Sequence, residues 1–98
     1  MIIYEVTMDV DAALADAVEE YMRAEHIADV LATGCFASAS ISRSGDRLQI
    51  RYSAETRTKL DTYLAEHTER LRAEVAARFP DGISGGREIW TEIETFTA

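Results

Sequence analysis

Two stretches of this chain carry apolar residues at helical spacing, and each is bracketed by segments in which apolar and polar residues alternate. The resulting order is strand, helix, strand, strand, helix, strand. That order restricts the topology severely, because each helix must return the chain by a right-handed crossover while the two middle strands form a hairpin. Residues 2–10 place Ile2, Tyr4, Val6, Met8 and Val10 on one face and Ile3, Glu5, Thr7 and Asp9 on the other, the pattern of a half-buried strand. Asp11 then offers an N-cap oxygen to an Ala-rich helix running to about residue 25, with Leu14, Val18, Tyr21 and Met22 in phase. At about 100° per residue Ile27 and Val30 fall opposite Leu14 and Val18, which predicts a kink at Glu25-His26. A short helix over 26–31 should follow, closed by a left-handed Gly34.

Residues 35–43 alternate again, with Cys35, Ala37, Ala39 and Ile41 opposing Phe36, Ser38, Ser40 and Ser42. Ser44-Gly45-Asp46 is a tight turn into a strand carrying Leu48, Ile50 and Tyr52 on one face. Thr56 caps the second long helix, whose Leu60, Tyr63, Leu64, His67, Leu71 and Val75 share a face through residue 78; Thr68 is placed to cap a second segment within it. Phe79-Pro80-Asp81-Gly82 ends the helix, and residues 83–96 read as the last strand, with Ile89 and Ile93 opposite Trp90, Glu92 and Glu94. The expectation is one α+β domain over residues 1–98, a ferredoxin-like βαββαβ fold with an antiparallel sheet and both helices on one face.

Alternation puts Tyr4, Val6, Ile50, Tyr52, Ile89 and Ile93 beneath the helices. It sends Glu5, Thr7, Phe36, Gln49, Arg51, Trp90 and Glu92 to the opposite face. Phe36 and Trp90 are large apolar groups for a wetted sheet, so this face is either the open side of a monomer or the surface through which two copies pair as a dimeric α+β barrel. A homodimer is the expectation, since a chain of 98 residues builds only a small core. Arg51, the one cation among the carboxylates there, either pairs with Glu5 or Glu92 or holds an anionic group of a ligand.

The net charge of −8, with Lys59 the only lysine, argues against nucleic acid and anionic membranes as partners. A single Cys35 forbids an internal disulfide, and no segment resembles a signal peptide or membrane span, so the cytoplasm is the expected location. The two histidines are the candidates for acid–base chemistry. His26 at the kink and His67 on an apolar helix face have ordinary structural readings too, one as the residue ordering the break and the other as a core histidine. Neither has a second histidine at helical spacing, so neither a metal site nor a cofactor is expected. Tyr21 and Tyr63 sit at core spacing; with Arg51 and Trp90 they are the pocket candidates. Gly82, Gly85 and Gly86 do not precede a helix and form no phosphate loop.

The chain resembles a family of short bacterial proteins known as domain of unknown function 4286. The resemblance is carried by residues 1–6 (Met-Ile-Ile-Tyr-Glu-Val), by Glu25-His26-Ile27 with Asp29 to Phe36, and by Tyr52, Tyr63-Leu64, His67, Leu71-Arg72 and Arg78-Phe79. Ala28 stands where the family resemblance leads one to expect proline, and Tyr21 where tryptophan is frequent. The resemblance implies the dimeric α+β barrel class, which includes cofactor-free monooxygenases, small isomerases and stress-response proteins, and brings no activity of its own. Two functional readings follow from it. One is a barrel protein that binds or converts a small molecule without a cofactor, the ligand lying near His26 with His26 or His67 as base. The other is a non-catalytic protein-interaction or structural domain.

Overall fold

The computed structural model describes all 98 residues. Strands β1 (Ile2–Val10), β2 (Ser38–Ser44), β3 (Arg47–Ala54) and β4 (Ile83–Thr91) form one antiparallel sheet in the order β2-β3-β1-β4. Helices α1 (Ala15–Tyr21) and α2 (Ile27–Leu31), joined by a π-helical turn over Met22–His26, cross from β1 to β2. Helices α3 (Arg57–Glu66) and α4 (Thr68–Arg78) cross from β3 to β4. This is the βαββαβ ferredoxin-like fold, and no helix is long and apolar enough to cross a membrane.

The alternating faces of β1 and β3 meet in register, Tyr4 opposite Tyr52, Val6 opposite Ile50 and Met8 opposite Leu48. Against this surface the helices bury Val18, Val30, Leu60 and Leu71 completely. Each such side chain contributes about 1.5–3 kcal/mol by leaving water.

The first crossover resolves its phase conflict through the π turn at the expected break. A π turn adds one residue to a helical turn and so rotates everything beyond it back by about 100°. Val30, out of phase on a regular helix, thereby joins the face of Val18 and Met22 and is fully buried. Gly34 then reverses the chain with a φ of 78°. The helix starts later than the sequence suggests: Leu14, not Asp11, is its N-cap, and no side chain caps it. Asp11 is spent elsewhere, its backbone N–H donating to the Gly82 carbonyl and its own carbonyl accepting from Leu14.

Four further expectations are corrected. Strand β2 begins at Ser38, so Phe36 lies before the sheet and turns inward, where its ring centroid is 4.9 Å from Tyr63 and 5.2 Å from Tyr52. Period-two alternation holds only for extended backbone, and the chain leaving Gly34 buries Cys35 and Phe36 together. Strand β4 ends at Thr91; Ile93 is 96% exposed and not beneath the helices, and Ile89, which does face their side, is 40% exposed. Thr56 caps α3, its Oγ1 accepting from the Lys59 N–H at 3.2 Å, but Thr68 caps nothing. His67 is not a core residue of one long helix. It is the break between α3 and α4, with φ −124° and ψ −34°.

Candidate functional site

The two crossovers do not close completely over β1 and β4, and a cavity of about 290 Å³ remains between the sheet and the helices. Its floor is made by the inward residues of β1 and β3, Tyr4, Val6, Met8, Ile50 and Tyr52; its roof by Met22 and His26 of the π turn with Val75 and Phe79. Thr68 and Arg72 enter from α4, and Ile83, Gly85 and Arg87 from β4. Strand β4 leaves this side open because Gly85 opposes Met8 and presents no side chain, while Arg87 opposes Val6 and therefore points to the helix side of the sheet.

Three buried side-chain polar atoms in the protein lack a hydrogen-bond partner: His26 Nδ1, Tyr52 Oη and Thr68 Oγ1. All three residues line this cavity. An unpaired buried polar atom costs about 1–3 kcal/mol, and native proteins rarely leave one without a reason. Tyr52 is 2% exposed, and its hydroxyl pKa is raised well above the usual tyrosine range, chiefly by burial and then by the neighbouring Tyr63 and Tyr4. The Tyr63 hydroxyl is pushed up to about 12, again mainly by burial; the Thr68 hydroxyl lies near enough to offset part of this without reaching hydrogen-bonding geometry. Both tyrosines are therefore hydrogen-bond donors at neutral pH.

His26 is held by aromatic contacts. Tyr21 stacks on its ring at 6.2 Å, Phe79 meets Tyr21 edge-on at 5.7 Å, and the Arg78 guanidinium lies 5.2 Å from the Tyr21 ring centre. Burial lowers the imidazole pKa below 6.5; Asp29 and Glu74 oppose the shift and Arg87 adds to it. The imidazole is thus neutral at pH 7 and free to accept a proton. The sign follows for stability: the unfolded chain takes up a proton at a higher pH than the native one, so His26 costs stability as the pH falls through 6.5 toward its lower native value. We expect unfolding midpoints between pH 7 and 5 to fall more steeply for the native chain than for His26→Asn. Equal slopes, or an NMR titration of His26 with a midpoint above 6.5, would contradict this.

Of the residues singled out in the sequence, His26 and Tyr63 line the cavity, and Tyr21 supports His26 from behind. Arg51 and Trp90 lie on the other face of the sheet, since Arg51 pairs in register with Glu5 and Trp90 with Ile3, both outward positions. Arg51 Nε is 3.3 Å from the Glu5 carboxylate. His67 is separate too, in a shallow surface cleft with Asp29, Arg70 and Glu74, its Nε2 4.0 Å from Glu66. No three His, Cys, Asp or Glu side chains cluster as a metal would require. Tyr52, Thr68, Arg72 and Arg87 also line the cavity, though the sequence did not mark them as site residues. The parity of Arg87 with Ile89 carried that signal for one of them.

A family model described as domain of unknown function (DUF4286) matches residues 1–93. The chain belongs to this family. Among curated proteins none matches it in sequence. Solved structures share the fold of this DUF4286 chain. A monooxygenase from the gene ActVA-Orf6 of Streptomyces coelicolor, in complex with the ligand nanaomycin D, superposes with a TM-score of 0.76 at 15% identity, covering 99% of this chain and 91% of that one. A dimeric ferredoxin-like protein from an uncultured marine organism gives 0.75 at 8% identity, covering 99% and 98%. HapK from Hahella chejuensis gives 0.72 at 14%, covering 100% and 98%.

Proposed function

We propose that this protein binds a small, largely apolar organic molecule between its sheet and helices and moves a proton on it without a cofactor, in the manner of an isomerase or of the base step of a cofactor-free monooxygenase. The observation that carries this reading is the convergence of the three unpartnered buried polar atoms of His26, Tyr52 and Thr68 on one cavity. His26 is the base: it is neutral and its Nδ1 is unoccupied. The Tyr52 hydroxyl donates a hydrogen bond to the oxygen on which negative charge develops, a role suited to a buried donor that cannot ionise at neutral pH. The solved monooxygenase of similar fold, with its bound ligand, supports the reading by analogy of fold alone.

The same proposal places the protein in a homodimer through the outer face of the sheet. Trp90 is 48% exposed there, next to Ile3, and the segment beyond β4 displays Ile93 and Phe96, the latter 81% exposed. A fold shared with a dimeric ferredoxin-like protein is consistent with that pairing. His67, outside the cavity, has no part in the proposed step.

The cavity reading is tested by a thermal-shift screen of small aromatic and alicyclic carbonyl compounds, repeated on His26→Ala and Tyr52→Phe. Ligands that raise the native midpoint should lose most of that shift in either variant, because each substitution removes a group that the ligand pairs. Hits that stabilise all three proteins equally would place binding elsewhere, and a screen without hits would favour a protein-interaction domain.

A further inference from the structure

This chain has nine arginines, and seven of them sit within 4.0 Å of a carboxylate: Arg23, Arg43, Arg47, Arg51, Arg57, Arg70 and Arg78. The two without an ion pair are Arg72 and Arg87, and both line the cavity. None of the 18 Asp and Glu residues does. In a chain of net charge −8, an arginine with no carboxylate beside it is the exception, and here the two exceptions approach one space from different elements, α4 and β4. The chain as a whole is acidic, while the lining of this opening carries two arginines and no carboxylate.

Resting on the reading of the cavity as a ligand site, we propose that its ligand is an organic acid, an apolar body with one anionic oxygen group, held by Arg72 and Arg87. A guanidinium offers paired N–H donors in the geometry of a carboxylate, and a site with two such groups and no carboxylate in its lining leaves a neutral ligand with unmatched donors. The placement also orients the molecule. Arg72 and Arg87 are exposed side chains at the open side, whereas Tyr52 is buried at the floor. The acid group therefore stays at the mouth, and the apolar body extends over Tyr4 and Tyr63 toward Tyr52 and His26, where the reacting position lies. Arg87 carries no structural load that would keep it in place otherwise: its strand position is at an open sheet edge, and it makes no side-chain hydrogen bond within the chain.

The test uses three probes that share a naphthalene body: 2-naphthoate, 2-naphthamide and 2-naphthylmethylammonium. Calorimetric titration of the full chain should show naphthoate binding at least about tenfold tighter than the amide and the ammonium binding weakest. Arg72→Gln and Arg87→Gln should each weaken naphthoate about tenfold and leave the amide unchanged, with native circular dichroism, since both side chains are exposed. Arg70→Gln, which removes a paired surface arginine of the same helix, should leave naphthoate affinity as it was. Equal affinities for acid and amide, or an Arg70→Gln loss as large as that of Arg87→Gln, would overturn the acid assignment while leaving the cavity as a binding site. Binding of none of the three probes would overturn the cavity reading and the assignment with it.

Discussion

Replacing Gly85 with alanine should destabilise the protein by about 2–3 kcal/mol and abolish ligand binding in the cavity. A Cβ at this position would overlap the Thr7 carbonyl oxygen of the neighbouring strand and lie 3.1 Å from the Met8 Cα. These are backbone atoms of a paired strand and cannot rotate away. The φ of Gly85, 156°, is moreover one that side chains rarely adopt. The only relief is for β4 to peel from β1, which costs ladder hydrogen bonds and moves Arg87 out of line with Val6. Gly86, one residue on, meets nothing within 4 Å of a built Cβ, so Gly86→Ala should stay within about 0.5 kcal/mol of the native chain. Denaturant unfolding of the two variants makes the comparison, and similar midpoints would refute the close approach of β4 to Thr7.

The second large effect is expected in the mass of the particle. If two copies pair through the outer sheet face, the native chain should scatter light as a particle of about twice 10.9 kDa, and Trp90→Glu should return it to 10.9 kDa at micromolar concentration. Burying an unpaired carboxylate at the centre of an apolar contact costs several kcal/mol, enough to weaken association by a hundredfold or more. Trp90 suits this test because it faces away from the core, so its replacement leaves the fold of the single chain intact. Ile93→Asp with Phe96→Asp asks the same of the terminal segment. A native chain already at 10.9 kDa, or variants that stay paired, would remove the proposed dimer face.

The fold was legible because its signals are local. Alternation in residues 2–10 and 47–52 and helical spacing from Leu60 to Val75 each identify one element and its buried side, and the order of elements leaves few topologies. Phe36 was misassigned for the same reason: a rule of alternation says nothing about where a strand begins, and the two residues after Gly34, Cys35 and Phe36, follow the contour of the core instead of the sheet. Asp11 resembled a cap until the loop at Gly82 claimed its backbone. The cavity was only partly legible. His26 and Tyr63 stand out by residue type, but their convergence with Arg87 joins positions about 20 to 60 residues apart and depends on the register of β4 against β1. No spacing along the chain encodes that, although the absence of a side chain at Gly85 and the parity of Arg87 with Ile89 were both on view.

The π turn at Met22–His26 has a consequence for how such a site tolerates change in chain length. Because the extra residue in that turn is what rotates Val30 into the core, His26 and the hydrophobic anchor beyond it share one device. A chain one residue shorter in this segment would regain a regular helix, yet the imidazole and its aromatic support could not both keep their bearings. The proposed base is thus tied to a count of residues as firmly as to its own identity, and point substitution and single-residue deletion in residues 22–26 become different kinds of event: one edits the chemistry, the other dismantles the seat on which it rests.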